Sequence, residues 1–353
     1  MKKLLLLLAF VVVLTANGQT LYSDNFTSFT VGNIGTDIAG TAVGQGNHKT
    51  FIGTGGTNAG NSSFAIVANS NPVYGNVLQI TGSDAATGTR FMWKDGFPAL
   101  WSARTAGNNI IEVEYDYFTG PASTSRNDFR IVVYSAEATP KIIAGMIFNK
   151  NATVSAVNYV NLCRGLAFFD NAGTMGLFSF GLGSTATPQI VFADNTWVKV
   201  GFSYNKTSGV VTWKGPGING FVQGAAPGLD INEVDFLGAA GATNVVATVG
   251  VFDNIIVRAS STDTLLSVSS PEIISNKFSV SPNPTNDFIN ISSSDNIGVN
   301  GVTIADLNGR VIKDMSYSNI SNIQVNLSDL ADGMYIMNIK SEQGIATKKI
   351  LKN

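Results

Sequence analysis

Three carboxylates at alternating positions of one apolar segment are the residues best spaced for chemistry. Glu112, Glu114 and Asp116 lie within residues 110–117, and alternate residues of a strand point to the same side. Hydrolysis of a glycosidic bond with retention of configuration uses two carboxyl groups about 5 Å apart, which this spacing approaches. The row also fits a solvated outer face on which Arg130, from the next predicted strand, pairs with Glu112 or Glu114.

Two tryptophans flank the loop at residues 94–100, and the flat ring of tryptophan suits stacking against the apolar face of a sugar. Loops that carry aromatic and charged side chains are frequent binding surfaces. We therefore predict a ligand-binding patch here, and its candidate residues are Trp93, Trp101, Arg90 and Arg104. The alternative is that Trp93 packs inward with Phe91.

Composition excludes several kinds of site. The 353-residue chain is 44% hydrophobic and 13% charged, with a net charge of −2. Cys163 is its one cysteine and His48 its one histidine, so a single chain holds no disulfide, no Cys/His zinc site and no iron–sulfur cluster. We expect His48 to be a loop residue without a catalytic partner and Cys163 to be a small buried residue. Near-neutral charge without a basic block argues against a nucleic-acid partner.

The N-terminus, residues 1–18, has the pattern of a secretory signal peptide. Lys2 and Lys3 precede an apolar run of 11 residues, 4–14, which is shorter than the roughly 20 residues that span a bilayer. Small residues then lead to a predicted cleavage site between Gly18 and Gln19. We expect no transmembrane segment in the chain after this signal is removed.

Residues 19–258 are predicted to form one large all-β unit. Apolar residues alternate in 110–117 and in 197–204, which indicates half-buried strands. A turn at residues 205–209 predicts a hairpin with the next apolar run. About a dozen short strands between Gly/Asn turns predict a two-sheet jelly-roll sandwich. Trp197 and Trp213 are predicted core residues.

Both ends of this unit resemble one family. Residues 21–32 and 251–258 resemble the first and last strands of concanavalin A-like, or laminin-G-like, jelly rolls of bacterial secreted proteins, and residues 195–202 are similar to their middle strands. The resemblance implies a fold that hosts glycan-binding modules, glycosidases, lyases and adhesive domains. Laminarinase-type members carry a carboxylate row in the order Glu-x-Asp-x-x-Glu or Glu-x-Asp-x-Glu, whereas the order here is Glu-x-Glu-x-Asp.

The same resemblance implies a structural calcium ion between the first and last strands, where Asp24 and Asp253 lie. Calcium takes six to eight oxygen ligands, so backbone carbonyls would have to join the two carboxylates. Hydrogen bonding at a turn or sheet edge is the alternative role for these residues.

Composition changes again after the large unit. Residues 259–276 are polar and rich in turn formers, which is typical of a linker. In residues 277–353, Pro282 and Pro284 favour an extended edge position, and Asn308-Gly309 predicts a hairpin turn. Seven short strands with an alternating apolar core predict a small Ig-like sandwich.

The motif order in residues 277–353 resembles the type A C-terminal sorting domain of the type IX secretion system of Bacteroidota. A Pro-Asn-Pro start, an Asp-x-x-Gly-Arg turn, a Leu-x-x-Gly-x-Tyr element and a Lys-rich tail follow one another. The residues that carry the resemblance are Pro282, Asn283, Pro284, Asp306, Gly309, Gly333, Tyr335, Lys348 and Lys349. It implies passage through the periplasm, recognition by the type IX machinery at the outer membrane, and a secreted or cell-surface product.

These features predict a non-catalytic surface module that binds a polysaccharide or another cell-surface glycan. A polysaccharide-degrading hydrolase or lyase on the same fold is one alternative, and a purely structural surface protein is another. In the predicted linker, Asp263-Thr264-Leu265 resembles the Asp-Thr-aliphatic O-glycosylation site of these bacteria.

Overall fold

The chain folds into two units, residues 1–266 and residues 267–353. The structure, a computed structural model, describes residues 18–71, 74–266, 278–293, 297–306, 310–341 and 344–353. The predicted signal sequence up to residue 17, most of the predicted linker and the Asn308-Gly309 turn lie outside the described residues.

The first unit consists almost entirely of strands, as the alternating pattern predicts. They are β1 (Gln19–Asp24), β2 (Gly32–Asn33), β3 (His48–Ile52), β4 (Phe64–Ala68), β5 (Asn76–Thr81), β6 (Thr89–Lys94), β7 (Ile110–Phe118), β8 (Asn127–Ser135), β9 (Ile142–Val154), β10 (Val157–Asn171), β11 (Thr174–Gly181), β12 (Ile190–Val191), β13 (Trp197–Asn205), β14 (Val211–Gly215), β15 (Ile218–Val222), β16 (Ile231–Ala240) and β17 (Val249–Ser260). Single 3-10 turns lie at Gln45–Asn47 and Asn61–Ser63.

Two antiparallel sheets face each other across one core. The nine-stranded sheet has the order β15-β14-β13-β7-β17-β5-β4-β2, with β1 on β17. The eight-stranded sheet has the order β11-β10-β9-β8-β16-β6-β3, with β12 on β10. Tyr117 of β7 stacks on Phe148 of β9 with ring centroids 3.9 Å apart. The predicted all-β, two-sheet sandwich is therefore confirmed.

The two strands joined by the predicted turn at residues 205–209 place Trp213 in the core and Trp197 on the outer face of the sheet. β13 and β14 pair antiparallel, and Gly209 closes the turn with a φ of 70°, which favours glycine. Trp213 is 1% exposed and donates its indole N–H to the Gly145 carbonyl across the core at 2.8 Å, as predicted. Trp197 was predicted wrongly: it alternates with the buried Val198 and lies on the outer face, stacked on Tyr74 at 3.9 Å.

The predicted linker begins later than residue 259. Residues 259 and 260 end β17, and residues 261–266, which we name the strap, belong to the first unit. Leu265 is fully buried, and Ser203 donates a hydrogen bond of 2.9 Å to Asp263. The strap is polar because it binds the outer face of the nine-stranded sheet through hydrogen bonds.

The predicted loop at residues 94–100 is partly helical. Helix α1 spans Phe97–Ser102 and has a proline in its first turn, where the missing N–H costs nothing. Phe97 and Trp101 lie four residues apart and are both buried, so one face of this short helix enters the core. Within the described ranges no helix is long and apolar enough to cross a membrane.

The second unit consists of two small antiparallel sheets in its described ranges. Its strands are β18 (Phe278–Ser281), β19 (Phe288–Ser293), β20 (Val299–Ala305), β21 (Val311–Ile320), β22 (Asn322–Asn326), β23 (Gly333–Ser341) and β24 (Gly344–Lys352). Three of them form a sheet in the order β18-β19-β22, and four form a sheet in the order β21-β20-β23-β24. These seven strands around one apolar core match the predicted small sandwich.

The Pro-Asn-Pro start is held against the last strand. Asn283 donates to the Lys349 carbonyl at 2.8 Å and accepts the Leu351 N–H at 2.9 Å. The strand β18 before it is the edge of its sheet, where proline is tolerated. The first and last motifs of the unit therefore meet.

Hydrogen bonds within each of the two central motifs also hold its local backbone in place. The Asp306 carboxylate accepts the Arg310 N–H at 3.0 Å across the turn that joins β20 and β21. Gly333 has a φ of 156° at the start of β23, and the Tyr335 hydroxyl donates to the Ala331 carbonyl at 2.9 Å. Each motif thus closes its own turn.

Candidate ligand-binding site

A pocket of about 180 Å³ opens at one end of the first sandwich, beside α1. β1, β3, β6, α1 and β16 contribute its walls. Apolar side chains form the inner wall, and the rim carries Trp93, Lys94 and Asp95. An aromatic ring and two opposite charges therefore converge on one opening.

The rim is held by contacts between its own side chains. The Trp93 indole N–H donates to Asp95 at 3.1 Å, and Lys49 forms an ion pair with the same carboxylate at 2.6 Å. The neighbouring loop packs on the Trp93 ring through Gly40, where an added Cβ would lie 2.6 Å from a ring carbon. Trp93 is half-buried, so its indole is positioned while part of the ring stays accessible.

His48 lies at the base of the pocket and was wrongly predicted to be a loop residue. It begins β3 and is 1% exposed. Its ring contacts the Tyr22 hydroxyl at 3.2 Å and the Gln45 carbonyl at 3.0 Å. Burial lowers the pKa of His48 to about 4. The imidazole is therefore neutral at ordinary pH and supports the shape of the pocket.

Three of the four predicted ligand-binding residues have structural roles. Trp101 is 1% exposed and donates its indole N–H to Asp230 at 3.0 Å. Arg104 lies over the Trp101 ring at 4.0 Å and binds the Asn108 carbonyl at 2.8 Å. Arg90 is fully buried and donates to Asn58 at 3.0 Å. These are corrections to the predicted patch, of which Trp93 alone lines the pocket.

The acidic row on β7 is buried, which corrects the expectation of a solvated outer face. The strap and the end of β17 cover Glu112: Thr264 donates to it through its N–H and its hydroxyl, and Ser260 donates to it at 2.9 Å. Glu114 accepts from Arg258 at 2.8 Å. Burial raises the pKa of Glu112. The partners of Glu112 and Glu114 belong to the fold, so structural contacts engage both of these carboxylates.

Arg130 does not pair with this row. It lies on β8 of the other sheet and binds Asp128 through two hydrogen bonds, of 2.6 and 2.9 Å. Thr264, in the predicted glycosylation motif, uses its hydroxyl on Glu112. The Arg130 guanidinium and the Thr264 hydroxyl are therefore both engaged in hydrogen bonds within the fold.

Asp116, the third member of the row, accepts a hydrogen bond of 2.8 Å from Asn254, whereas its neighbour Asp253 has no such partner among the described residues. Asp116 of β7 stands directly opposite Asp253 of β17, and like charges opposite each other destabilise a sheet. Asp253 is 1% exposed, and neither of its oxygens has a hydrogen-bond partner in the described part of the chain. Burial, together with the negative charges of Asp116 and Asp24, raises the pKa of Asp253 to about 8.

Two orphaned carboxylate oxygens are hard ligands of the kind that calcium prefers. Asp24 lies on β1, which pairs with the same strand as Asp253, and accepts the Phe26 N–H at 2.9 Å. Among the described residues no group of three or more His, Cys, Asp or Glu side chains is arranged to hold a metal. A calcium ion here would therefore need carbonyl or water ligands as well.

Comparison with known proteins identifies the end of the chain. Residues 279–353 match the secretion system C-terminal sorting domain. The protein is therefore exported by the type IX secretion system to the cell surface or the extracellular space. No curated protein matches the sequence.

Several solved structures are remotely similar to this chain. The CBM2 module of the evolved Dit of Lactobacillus casei BL23 phage J-1 has a TM-score of 0.39 and 9% identity, over 70% of this chain and 98% of that chain. Cellulose induced protein Cip1 has a TM-score of 0.38 and 13% identity, over 68% and 97%. The carbohydrate recognition domain of Emp47p has a TM-score of 0.37 and 7% identity, over 69% and 96%. Likenesses this distant carry no argument about function.

Proposed function

We propose that the first unit is a non-catalytic module that binds a glycan at the pocket beside α1, which we name the Trp93 pocket. The observation that carries the proposal is the half-buried Trp93 ring, which lines the pocket together with Lys94 and Asp95. The ring can stack on the apolar face of a sugar, while the charged groups bind its hydroxyls. The structure supports no comparable arrangement at the acidic row on β7.

The pocket size favours recognition of one sugar residue at a time. At about 180 Å³ it is smaller than pockets that enclose drug-sized ligands, which are roughly 300–1,000 Å³. Leu100 stands at the rim with 44% of its surface exposed and extends the apolar surface outward. A terminal or side-chain sugar of a polymer fits these dimensions.

Replacing Trp93 by alanine tests the proposal. We expect the Trp93→Ala variant to lose at least about tenfold in affinity for the glycan, because loss of stacking near 1.4 kcal/mol is a tenfold change. The measurement is calorimetric titration with polysaccharides that a glycan panel has shown to bind. Phe221→Ala is the matched control, since Phe221 is 62% exposed and lies on β15, away from the pocket. Equal affinities for the two variants would refute the site.

Calcium binding is the second part of the proposal. Asp253 and Asp116 would supply carboxylate ligands, and Asp24 the negative charge beside them. The ion would neutralise two carboxylates that face each other across neighbouring strands. Its role is to fasten the last strand, β17, to β7 and β1.

The sorting domain supports a prediction about export. We expect a tagged chain that lacks residues 277–353 to remain in the periplasm, because recognition at the outer membrane depends on this unit. Fractionation followed by immunoblotting measures the location. The first unit has its own core and closes with the strap, so the truncated chain should stay folded, which proteolysis resistance will verify. Normal surface export of the truncated chain would contradict the assignment.

A further inference from the structure

The two charges on the rim of the Trp93 pocket differ in how far the fold already engages them. The Asp95 carboxylate is bound by the Lys49 ammonium at 2.6 Å and by the Trp93 indole N–H at 3.1 Å. The Lys94 ammonium lines the same pocket but forms no ion pair and no hydrogen bond with any residue that the structure describes. The negative charge is therefore neutralised within the rim, and the positive charge remains available to a ligand.

An aromatic ring positions Lys94 at the pocket. The ammonium lies over the Tyr22 ring, 4.8 Å from the ring centroid, which is a cation–π geometry. Tyr22 is held in turn by His48. Because the Gln45 carbonyl can only accept, His48 Nδ1 carries the proton and Nε2 accepts the Tyr22 O–H at 3.2 Å. Lys94 is thus positioned without the help of a carboxylate.

The other ionisable groups near the pocket oppose Lys94 only weakly. Burial, together with the positive charge of Lys94, lowers the pKa of His48 to about 4, so the imidazole is neutral at ordinary pH. Two further carboxylates, Asp24 and Glu233, act on this region, and neither lines the pocket. Burial raises the pKa of Glu233, and it raises that of Asp24 against the opposing charge of Lys94. With Asp95 paired, the described lining of the pocket carries one positive charge without a partner.

The apolar walls of the pocket favour an interaction between charges. Phe97, Val234 and Phe236 line it, and Lys94 itself is half-buried. Surroundings of this kind exclude water, so two opposite charges are screened less than they are on an open surface. The volume of about 180 Å³ means that a charged group bound here belongs to the same sugar residue that contacts Trp93.

We infer that the Trp93 pocket selects a sugar that carries a carboxylate or a sulfate group, and that Lys94 determines this specificity. The inference rests on the proposed glycan binding at this pocket. The Trp93 ring can stack on the apolar face of the sugar, while the Lys94 ammonium donates a charge-assisted hydrogen bond to the anionic group. A neutral sugar would offer Lys94 a hydroxyl instead, and a hydrogen bond between a charged and a neutral group is weaker than one between opposite charges.

Polymers matched in backbone but different in charge test this specificity. The full chain is titrated with polygalacturonic acid and its methyl ester, with carboxymethyl and hydroxyethyl cellulose, and with dextran sulfate and dextran. We expect the anionic member of at least one pair to bind about tenfold more tightly than the neutral member, as for one charge-assisted hydrogen bond. The pairs also distinguish a carboxylate from a sulfate as the preferred group. Equal affinity within every bound pair, or a preference for the neutral members, would overturn the inference and leave the proposed function intact.

Substitutions of Lys94 connect the preference to the pocket. Lys94→Met should weaken binding of the anionic polymer about tenfold and that of the neutral polymer much less, whereas Lys94→Arg keeps the charge and the donors and should retain the preference. Lys141→Met is the matched control and should change neither affinity. The Lys141 ammonium also lies over an aromatic ring, that of Phe168, but it is paired with Glu137 and does not line the pocket.

Melting curves verify that each variant folds. A preference for anionic polymers that persists unchanged in Lys94→Met would overturn the role of Lys94. Binding of no polymer in any of the three pairs or in the glycan panel would refute the proposed function, and the inference with it.

Discussion

Calcium is expected to raise the melting temperature of this protein by about 10 °C at pH 8 and by far less at pH 5. A ligand at about 1,000 times its dissociation constant stabilises the native state by about 4 kcal/mol, and each kcal/mol shifts the melting temperature of a unit this size by roughly 2–4 °C. The pH dependence follows from Asp253, whose two oxygens are buried without partners in the described part of the chain.

The direction of that dependence follows from the protonation of Asp253. Without calcium, the pKa of Asp253 is raised to about 8 in the folded chain from an ordinary value of 3.8. The folded state therefore holds this proton more tightly than the unfolded state does. The contribution of Asp253 to stability is fully present below pH 4 and is lost as the pH rises to 8. Calcium competes with that proton for the Asp253 carboxylate. It therefore stabilises the folded state most at a pH where Asp253 is deprotonated.

Differential scanning fluorimetry with EDTA and with added calcium measures both effects. Asp253→Asn should remove the calcium response and flatten the fall in cation-free stability between pH 5 and pH 8. Glu137→Gln is the control, because Glu137 lies in an exposed ion pair with Lys141. Melting temperatures that neither EDTA nor calcium changes at pH 8 would refute the calcium site.

Removing the Glu112 carboxylate is expected to destabilise the first unit by about 3 kcal/mol. In Glu112→Ala the Thr264 N–H and the Ser260 hydroxyl lose their acceptor, and a buried donor left without a partner costs roughly 1–3 kcal/mol. The strap also loses its attachment to β7. Both effects act on the same segment.

Glu112→Gln should be much milder, because one amide oxygen still accepts from the Thr264 N–H and the hydroxyls can reorient to accept from the amide group. Denaturant unfolding measures both variants. Glu137→Ala should change the free energy of unfolding by less than about 0.5 kcal/mol, as is usual for surface substitutions. Equal unfolding midpoints for the wild type and Glu112→Ala would show that the strap does not stabilise the unit.

Three of the tryptophans show how much the sequence pattern can predict. Trp213 was correctly predicted to be core, and its partner across the core is the Gly145 carbonyl, 68 positions away in the sequence. Trp197 was misassigned by one position of strand alternation, and a one-residue shift moves a side chain to the opposite face. Trp101 was misassigned because a six-residue helix replaces the predicted loop and turns the ring inward.

For the carboxylates, too, the sequence predicts some features and only the structure shows the others. The sequence shows that Glu112, Glu114 and Asp116 share one face, but the strap that contacts two of them lies 152 positions later in the chain. Glu233 and Asp235 alternate in the same way on β16, but only the structure shows that Asp235 is 3% exposed, with its Oδ1 unpaired among the described residues.

The sequence by itself determined the class of fold, the division into two units and the export route. Those properties depend on strand alternation, turn residues and local motifs, which act over a few residues, as when Asp306 accepts the Arg310 N–H four positions later. The tertiary structure decided which side chains are available to a ligand. Availability depends on what packs over each residue, and in this sandwich the covering segments come from distant parts of the chain.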